Sequence, residues 1–254
     1  MSWDPAIYNR FKSERAKPFY DLLALIHNRE YVDVIDLGCG TGELTKQLAD
    51  EMLKARVLGI DSSVQMLNAS SVFGNSRLRF EQKSIEAQIG SAAKWDLVFS
   101  NAALQWVENH SETFPKIISS LNPGGQLLVQ IPSQHHNLTN KLLKRLSDRD
   151  SFRTLLPSGI SNSPVLELEE YAALLFARGC KALTIFEKIY PVVVPGIREL
   201  FEWVSGTAII PYLENLPQEL HGQFNDEFEQ LLQENFDVNP VFYPFKRIII
   251  SGIF

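Results

Sequence analysis

Val34-Ile35-Asp36-Leu37-Gly38-Cys39-Gly40-Thr41-Gly42 decides how this chain is read. An apolar run ends in an acid and then in glycines at alternate positions. Glu43 to Leu53 follows with apolar residues at helical spacing, so the segment reads as strand, tight loop, helix. Glycine lets the backbone turn sharply and approach a ligand where any Cβ would collide. The helix that follows offers first-turn N–H groups without intrahelical partners. Such a junction is built to hold a nucleotide. A dinucleotide fingerprint, G-x-G-x-x-G, would want its third glycine at position 43, where Glu43 stands, and the glycines fall instead at 38, 40 and 42. That spacing disfavours NAD.

Asp-x-Gly-x-Gly-x-Gly after a first strand resembles motif I of the class I S-adenosylmethionine-dependent methyltransferases. The resemblance implies a loop wrapped around the methionine part of the cofactor, with Cys39 as a small spacer in it. It also implies a second acid, at the end of the next strand, that holds the ribose hydroxyls. Arg56-Val57-Leu58-Gly59-Ile60-Asp61 supplies Asp61 about twenty residues on.

The 254 residues are 45% hydrophobic and 21% charged, enough to bury a substantial core. A formal net charge of −6 opposes non-specific attraction to nucleic acid. Two cysteines, Cys39 and Cys180, give neither a disulfide framework nor a paired-cysteine zinc site, which fits a reducing compartment. The first residues, Met1-Ser2-Trp3-Asp4-Pro5, lack the pattern of a secretory leader, and no run approaches eighteen apolar residues. The expectation is a cytoplasmic protein with no membrane span and no metal, its oligomeric state open and compatible with a monomer.

Asp4-Pro5 and the stripe Phe19, Leu22, Leu23, Ile26 after Pro18 predict two short N-terminal helices. Strands and helices then alternate: strand 33–37, helix 42–54, strand 56–61, helix 63–71, strands 77–83 and 95–101, helix 111–121, strand 126–131. This order predicts an α/β fold with a mainly parallel sheet covered on both faces. From 133 to 163 the pattern weakens into polar and basic residues, lid-like or loop-like. Helix 167–177, strand 181–194, a glutamate-rich helix 218–236 and an apolar β-branched run 245–254 complete the chain.

More specific segments resemble the trans-aconitate methyltransferases: Trp3-Asp4-Pro5-x-x-Tyr8, Glu14-Arg15-x-x-Pro18, Ser100-Asn101-Ala102-Ala103-Leu104-Gln105-Trp106, Glu202-Trp203-Val204 and Pro244-Phe245-Lys246-Arg247. These enzymes esterify a carboxylate of a small polycarboxylic acid. The resemblance implies a Rossmann-like class I methyltransferase fold with a seven-stranded sheet, N-terminal helices and a helical lid. It divides one domain into an N-terminal cap (1–30), a cofactor-binding core (31–132), a lid-like insertion and helix (133–180) and C-terminal strands with substrate-side helices (181–254).

The implied cofactor-binding set is Tyr8, Arg15, Asp36, Gly38, Cys39, Gly40, Gly42, Asp61, Ser62, Met66, Ser84, Ile85, Asn101 and Ala102. The implied substrate set is Trp106, His135, Trp203, Ile210 and Arg247. No catalytic side chain is required, because a carboxylate acceptor is already ionised at neutral pH and needs only proximity and orientation. Three positions depart from the family pattern. Ser84 stands where an aspartate usually meets the adenine amino group, Ile210 stands where an arginine would meet a substrate carboxylate, and the segment with Gln134, His135 and His136 is divergent. His135 and His136 are neighbours, so in an extended segment they would face opposite ways and could not share a metal.

Lys141, Lys144, Arg145, Arg149 and Arg153 read as a solvated helix face. The competing functions are a malonyl-thioester carboxyl methyltransferase of the kind used in biotin synthesis, a nucleic-acid methyltransferase, and a cofactor-binding protein without turnover. The second lacks the Asn/Asp-Pro-Pro-aromatic segment, having Asn101-Ala102-Ala103-Leu104 instead.

Overall fold

Strand β1 (Asp33–Leu37) is buried at its last four positions, as befits a strand covered on both sides. In the computed structural model, which describes residues 12–28, 30–160, 162–236 and 238–254, β1 pairs in parallel with β2 (Arg56–Asp61) and β4 (Trp95–Asn101). Parallel pairing continues outward to β3 (Leu78–Gln82) on one side and β5 (Leu121–Pro132) on the other. Two further strands, β6 (Ala182–Val194) and β7 (Val241–Ile253), complete a seven-stranded sheet in the order β3-β2-β1-β4-β5-β7-β6. β7 runs antiparallel to β5, so the sheet is mixed and mostly parallel.

The chain forms two compact units, the larger built on residues 16–132, 164–188 and 247–254 and the smaller on 133–163 and 189–246. In the larger unit, alternate residues of each strand feed two cores. Val34, Leu97, Phe99, Leu128 and Ile249 pack against Phe19 and Leu22 of α1 (Lys12–Ala24) and Leu48 of α2 (Glu43–Glu51). The neighbouring positions Ile35, Val98, Val129 and Ile250 pack under Ile85 of α4 (Ile85–Ile89), Phe114 and Ile117 of α5 (His110–Ser119) and Tyr171 and Leu175 of α8 (Leu168–Ala177). Each of these large apolar side chains contributes roughly 1.5–3 kcal/mol on burial, and together they place helices on both faces. Helix α3 (Val64–Ser70) follows β2.

Asp96 fastens the N-terminal ends of β1 and β4. Its carboxylate accepts from the backbone N–H groups of Val32 and Asp33 at 2.9 and 3.0 Å and from Asn122 Nδ2 at 2.7 Å. Burial pushes this carboxyl up, but those bonds and the nearby Arg56 guanidinium hold it below the ordinary range.

The smaller unit has its own apolar core, with Leu142, Leu143 and Leu146 of α6 (Leu138–Ser147), Leu200, Trp203 and Val204 of α9 (Ile197–Ser205), Leu213 of α10 (Ile210–Asn215) and Phe224, Phe228 and Leu231 of α11 (His221–Asn235). α7 (Asp150–Arg153) adds Phe152. Asn137, just before α6, clasps β7 by donating to the Lys246 carbonyl at 3.0 Å and accepting the Lys246 N–H at 2.8 Å.

Several sequence expectations need correction. Pro18 lies inside α1, buried, where a helix starting after it was expected; the chain forgoes one ladder bond there. The first of the two N-terminal helices falls outside the described residues. The stretch 133–163 carries the helices α6 and α7 and contributes to a core, because the leucines of α6 sit at amphipathic spacing beneath the basic residues. Helices α4, α9 and α10 were not foreseen, and β5 and β7 start earlier than expected. Among the described residues no helix is long and apolar enough to cross a membrane.

Candidate active site

The loop between β1 and α2 is held open by backbone geometry. Gly38, Gly40 and Gly42 have φ of 78°, 55° and 76°, a left-handed region that favours glycine. The N–H groups of Gly38 and Cys39 both donate to the Ile60 carbonyl at 2.9 Å, which pins the loop to the end of β2. The glycines do different jobs. A Cβ on Gly38 would lie 2.2 Å from Ala103 Cβ, and one on Gly42 would lie 2.6 Å from Ser70 Cβ and 2.7 Å from the Phe80 ring, so both are packing glycines. A Cβ on Gly40 would meet nothing within 4 Å. Gly40 therefore faces space that a ligand can fill, beside the N-terminus of α2, where no side chain caps the first turn.

Asp61 ends β2 and closes this loop. One carboxylate oxygen accepts the Gly40 N–H and the other the Ser63 N–H, each at 2.9 Å. Each oxygen keeps a lone pair for a ligand hydroxyl. Asp36 sits deeper, 4% exposed, accepting from Thr45 Oγ1 at 2.6 Å. Burial pushes its carboxyl up to about 7, Thr45 opposing and the Asp61 charge adding to the rise. Cys39 is also buried, and burial together with the charges of Asp36 and Asp61 pushes its thiol well above the usual range. A thiol held protonated suits a spacer rather than a nucleophile.

Along the carboxyl ends of the strands, Met66 lies in α3, its N–H on Ser63 Oγ at 3.3 Å. Ser62 is exposed. Ser84 caps α4 by accepting the Ala87 N–H at 3.2 Å, and buried Ile85 opens that helix within 4.0 Å of the position a Gly38 Cβ would take. After β4, Ala102 adopts φ 56°, rare for a residue with a Cβ. The turn is over-determined: Ala102 N–H donates to the Gln130 carbonyl at 2.8 Å and its carbonyl accepts from Gln105 Nε2 at 2.7 Å. Behind it, buried His110 donates from Nε2 to the Leu104 carbonyl at 2.9 Å while Nδ1 meets the Tyr171 hydroxyl. Both ring nitrogens are engaged, and burial lowers this imidazole's pKa, so His110 is a neutral prop. Strain stored after a strand and braced on two sides is typical of functional sites.

Trp106 ends the following turn at 51% exposure. Arg247 is 5% exposed, with Nη1 donating to Gln130 Oε1 at 3.0 Å. These residues, with Asp36 to Gly42, Asp61 to Met66, Ser84, Ile85, Asn101 and Ala102, belong to the larger unit. Trp203, His135 and Ile210 belong to the smaller one. Trp203 is 3% exposed and packs edge-on against Phe245 with centroids 5.9 Å apart, which makes it a core residue there. His135 and His136 are exposed in a turn, closed by donation from the His136 and Asn137 N–H groups to the Ser133 carbonyl, rather than in an extended segment. Ile210 is half-buried at the start of α10. Tyr8, and the side chain of Arg15, lie outside the described residues.

Sequence reasoning missed Gln130, Gln105, Thr45 and the His110–Tyr171 pair. The signal for Gln130 was a single amide inside the apolar run Leu127-Leu128-Val129-Gln130-Ile131.

A glycine loop tied to a strand-end acid, an open face at Gly40 and a mostly parallel sheet in which β7 runs antiparallel to β5 define an S-adenosylmethionine-dependent methyltransferase. A family profile described as "Methyltransferase domain" matches residues 28–173. The chain is 41% identical over 253 residues to the trans-aconitate 2-methyltransferase of Deinococcus radiodurans, covering 98% of this chain and 97% of that one. It is 34% identical to the enzyme of the same name from Methylobacterium nodulans, covering 98% and 96%. The chain belongs to the trans-aconitate 2-methyltransferase family. Among solved structures, the YcgJ protein of Bacillus subtilis superposes with a TM-score of 0.59 at 16% identity, covering 95% of this chain and 98% of that one. Phosphoethanolamine N-methyltransferase 2 of Haemonchus contortus, in complex with S-adenosyl-L-methionine, gives 0.56 at 16%, covering 93% and 52%. Both are similar in fold.

Proposed function

We infer that this enzyme methylates a carboxylate of a small polycarboxylic acid of the trans-aconitate kind. The observation that carries the reading is Arg247, a guanidinium buried at the carboxyl end of the sheet with one nitrogen fixed on Gln130. A held guanidinium fits a planar carboxylate better than any other side chain. The names of the relatives support a free acid over a malonyl thioester.

Bound S-adenosylmethionine supplies a methyl group on sulfonium, which an acid oxygen takes by displacement as the carbon–sulfur bond breaks, giving a methyl ester and S-adenosylhomocysteine. The chain's own residues have positioning work to do. In this proposal Gly38 to Gly42 hold the methionine part, Asp61 the ribose hydroxyls, and Arg247 the acid. Met66, Ser84 and Ile85 are assigned to the adenine side, and Trp106 to the acid side. Asp36 shapes the loop through Thr45 rather than by exposed contact. The segment 133–163 is proposed as a lid, and its protection from proteolysis by S-adenosylhomocysteine plus acid would support that. A cytoplasmic location belongs to the same reading.

The test is a panel of mono-, di- and tricarboxylic acids, assayed by mass spectrometry for methyl ester. Trans-aconitate is expected among the best acceptors. Methyl transfer only to hydroxyls or amines would overturn the proposal.

A further inference from the structure

β5 carries two buried glutamines four residues apart, Gln126 at 1% exposure and Gln130 at 0%. Because strand side chains alternate, both point to the same face. Gln126 is fully satisfied by protein: its Oε1 accepts the His27 N–H at 2.9 Å, and its Nε2 donates to the Leu25 carbonyl at 2.8 Å and to Ser251 Oγ at 3.0 Å. It joins chain segments far apart in sequence and needs no other explanation. Gln130 differs. Its Oε1 is occupied by Arg247 Nη1 at 3.0 Å, which fixes the amide's orientation, since guanidinium only donates. Its Nε2 then has no hydrogen-bond partner. A buried amide donor left empty is rare and calls for a cause.

The position of that donor narrows the cause. Gln130 is the register partner of Asn101 on β4, so their side chains lie on one face at the carboxyl end of the sheet, where open α/β sheets bind ligands. Asn101 Oδ1 is also buried without a partner. Asn101 thus presents an empty acceptor and Gln130, on the next strand about 4.8 Å away, an empty donor. The two match the two reactants in kind. A cationic group such as the cofactor's ammonium suits the acceptor, and an anionic oxygen suits the donor.

We propose that Gln130 is a substrate ligand: its Nε2 donates to a carboxylate oxygen of the acid that Arg247 holds. The proposal rests on the carboxylate reading above and names a second residue of that site. The pair works as a unit. The bond from Arg247 polarises the Gln130 amide and strengthens its remaining N–H donors, while Gln130 fixes the plane of the guanidinium. Glutamine is also the side chain the arrangement demands. A glutamate of the same shape would neutralise Arg247 and repel the acid, and a leucine would supply no donor.

Gln130→Leu and Gln130→Glu are the variants to make, assayed on trans-aconitate and a dicarboxylate, with S-adenosylhomocysteine affinity measured by calorimetry. The expected result is a KM for acid raised about ten-fold in Gln130→Leu and further in Gln130→Glu, with kcat and cofactor affinity changed less than about three-fold. A merely structural glutamine would lower kcat and cofactor affinity together. KM within about two-fold of the unmodified enzyme in both folded variants overturns the proposal. So does parallel loss of cofactor binding. If neither variant folds, the side-chain amide signal of Gln130 in the unmodified, S-adenosylhomocysteine-bound protein decides. Movement of the nitrogen-15 resonance on adding trans-aconitate supports the contact, and its constancy overturns it. An unmodified enzyme that esterifies no acid on the panel removes the carboxylate reading itself. One that esterifies trans-aconitate while Gln130→Leu keeps its KM removes only the role of Gln130.

Discussion

The Asp61 carboxylate accepts the Gly40 backbone N–H at 2.9 Å, so the strand-end acid and the most open residue of the glycine loop are one device. The acid sets the loop by itself, and its remaining lone pairs suit the vicinal hydroxyls of the ribose proposed to bind there. Asp61→Ala removes both functions. S-adenosylhomocysteine affinity should fall about ten-fold or more, equivalent to about 1.4 kcal/mol or more. Asp61→Asn keeps one acceptor and should fall between the two. Calorimetry returning unaltered affinity for the alanine variant would remove the ribose assignment.

The three glycines separate packing from binding. Gly38→Ala and Gly42→Ala drive a Cβ to 2.2 Å from Ala103 and 2.6 Å from Ser70, and backbone must give way in a dense interior. Each should cost about 2 kcal/mol or more of folding stability. Gly40→Ala has room, so it should cost only about 1 kcal/mol, for its left-handed backbone, yet lose cofactor affinity because the new methyl occupies ligand space. Denaturant unfolding and calorimetry on the three variants check this. If Gly40→Ala binds normally, the open space beside Gly40 is not the cofactor's.

Asp36 makes stability depend on pH in an unusual direction for a carboxyl. Its folded pKa is raised to about 7 by burial, against about 3.9 in an unfolded chain. Below about pH 4 both states are protonated and its contribution is fully present. As pH rises toward 7 the unfolded chain ionises while the folded one resists, so that contribution is lost, by at most about 4 kcal/mol. Asp36→Asn cannot titrate. The stability of the unmodified protein relative to this variant should therefore decline from pH 4 to 7 and level off above, as read from urea midpoints at constant salt. A flat difference would show that Asp36 is ionised throughout.

Asp96 has the opposite sign. Its folded pKa is held low, so its contribution is present above the unfolded value and lost as pH falls through the folded one. Asp96→Asn leaves the amide N–H groups of Val32 and Asp33 with a weaker acceptor and should cost about 1–3 kcal/mol at neutral pH, with the difference from the unmodified protein shrinking below about pH 4. Equal midpoints at pH 7 would mean that the clasp adds nothing.

Motif I was legible because its physics is local: an apolar run, an acid and glycines at fixed offsets describe a turn whatever else the chain does. Asp61 was legible for the same reason. The core role of helix α6 was concealed because Lys141, Lys144 and Arg145, read as a solvated helix face, dominate its composition, while Leu142, Leu143 and Leu146 alone decide what it buries. The early start of β7 was hidden by Pro244, which a residue-by-residue reading treats as a break. Gln130 stood out in the sequence only as a lone amide in an apolar run. Its meaning depends on Arg247, 117 residues away, taking its oxygen, and on the contrast with Gln126, whose partners are equally distant. Trp203 shows the same dependence on packing, since its motif says nothing of the contact with Phe245 that buries it.

Which groups could act as a base is the remaining question, and the histidines answer it. His110 has both nitrogens engaged and is buried. His221 has Nε2 on the Leu216 carbonyl. His135 and His136 are exposed on the turn after β5. A carboxylate acceptor loses no proton on methylation, because at neutral pH it has none to lose. His135→Ala and His136→Ala should thus keep kcat within about three-fold, any deficit appearing in KM for acid. The kcat of the unmodified enzyme should be level from about pH 6 to 9, since the acid is ionised across that range. The titration of Asp36 near 7 should enter through cofactor affinity instead. A hydroxyl or amine acceptor would behave otherwise, with kcat rising with pH and collapsing when its base is removed. A loss above about a hundred-fold in kcat for either histidine variant, with folding intact, would therefore replace ester formation by general-base chemistry.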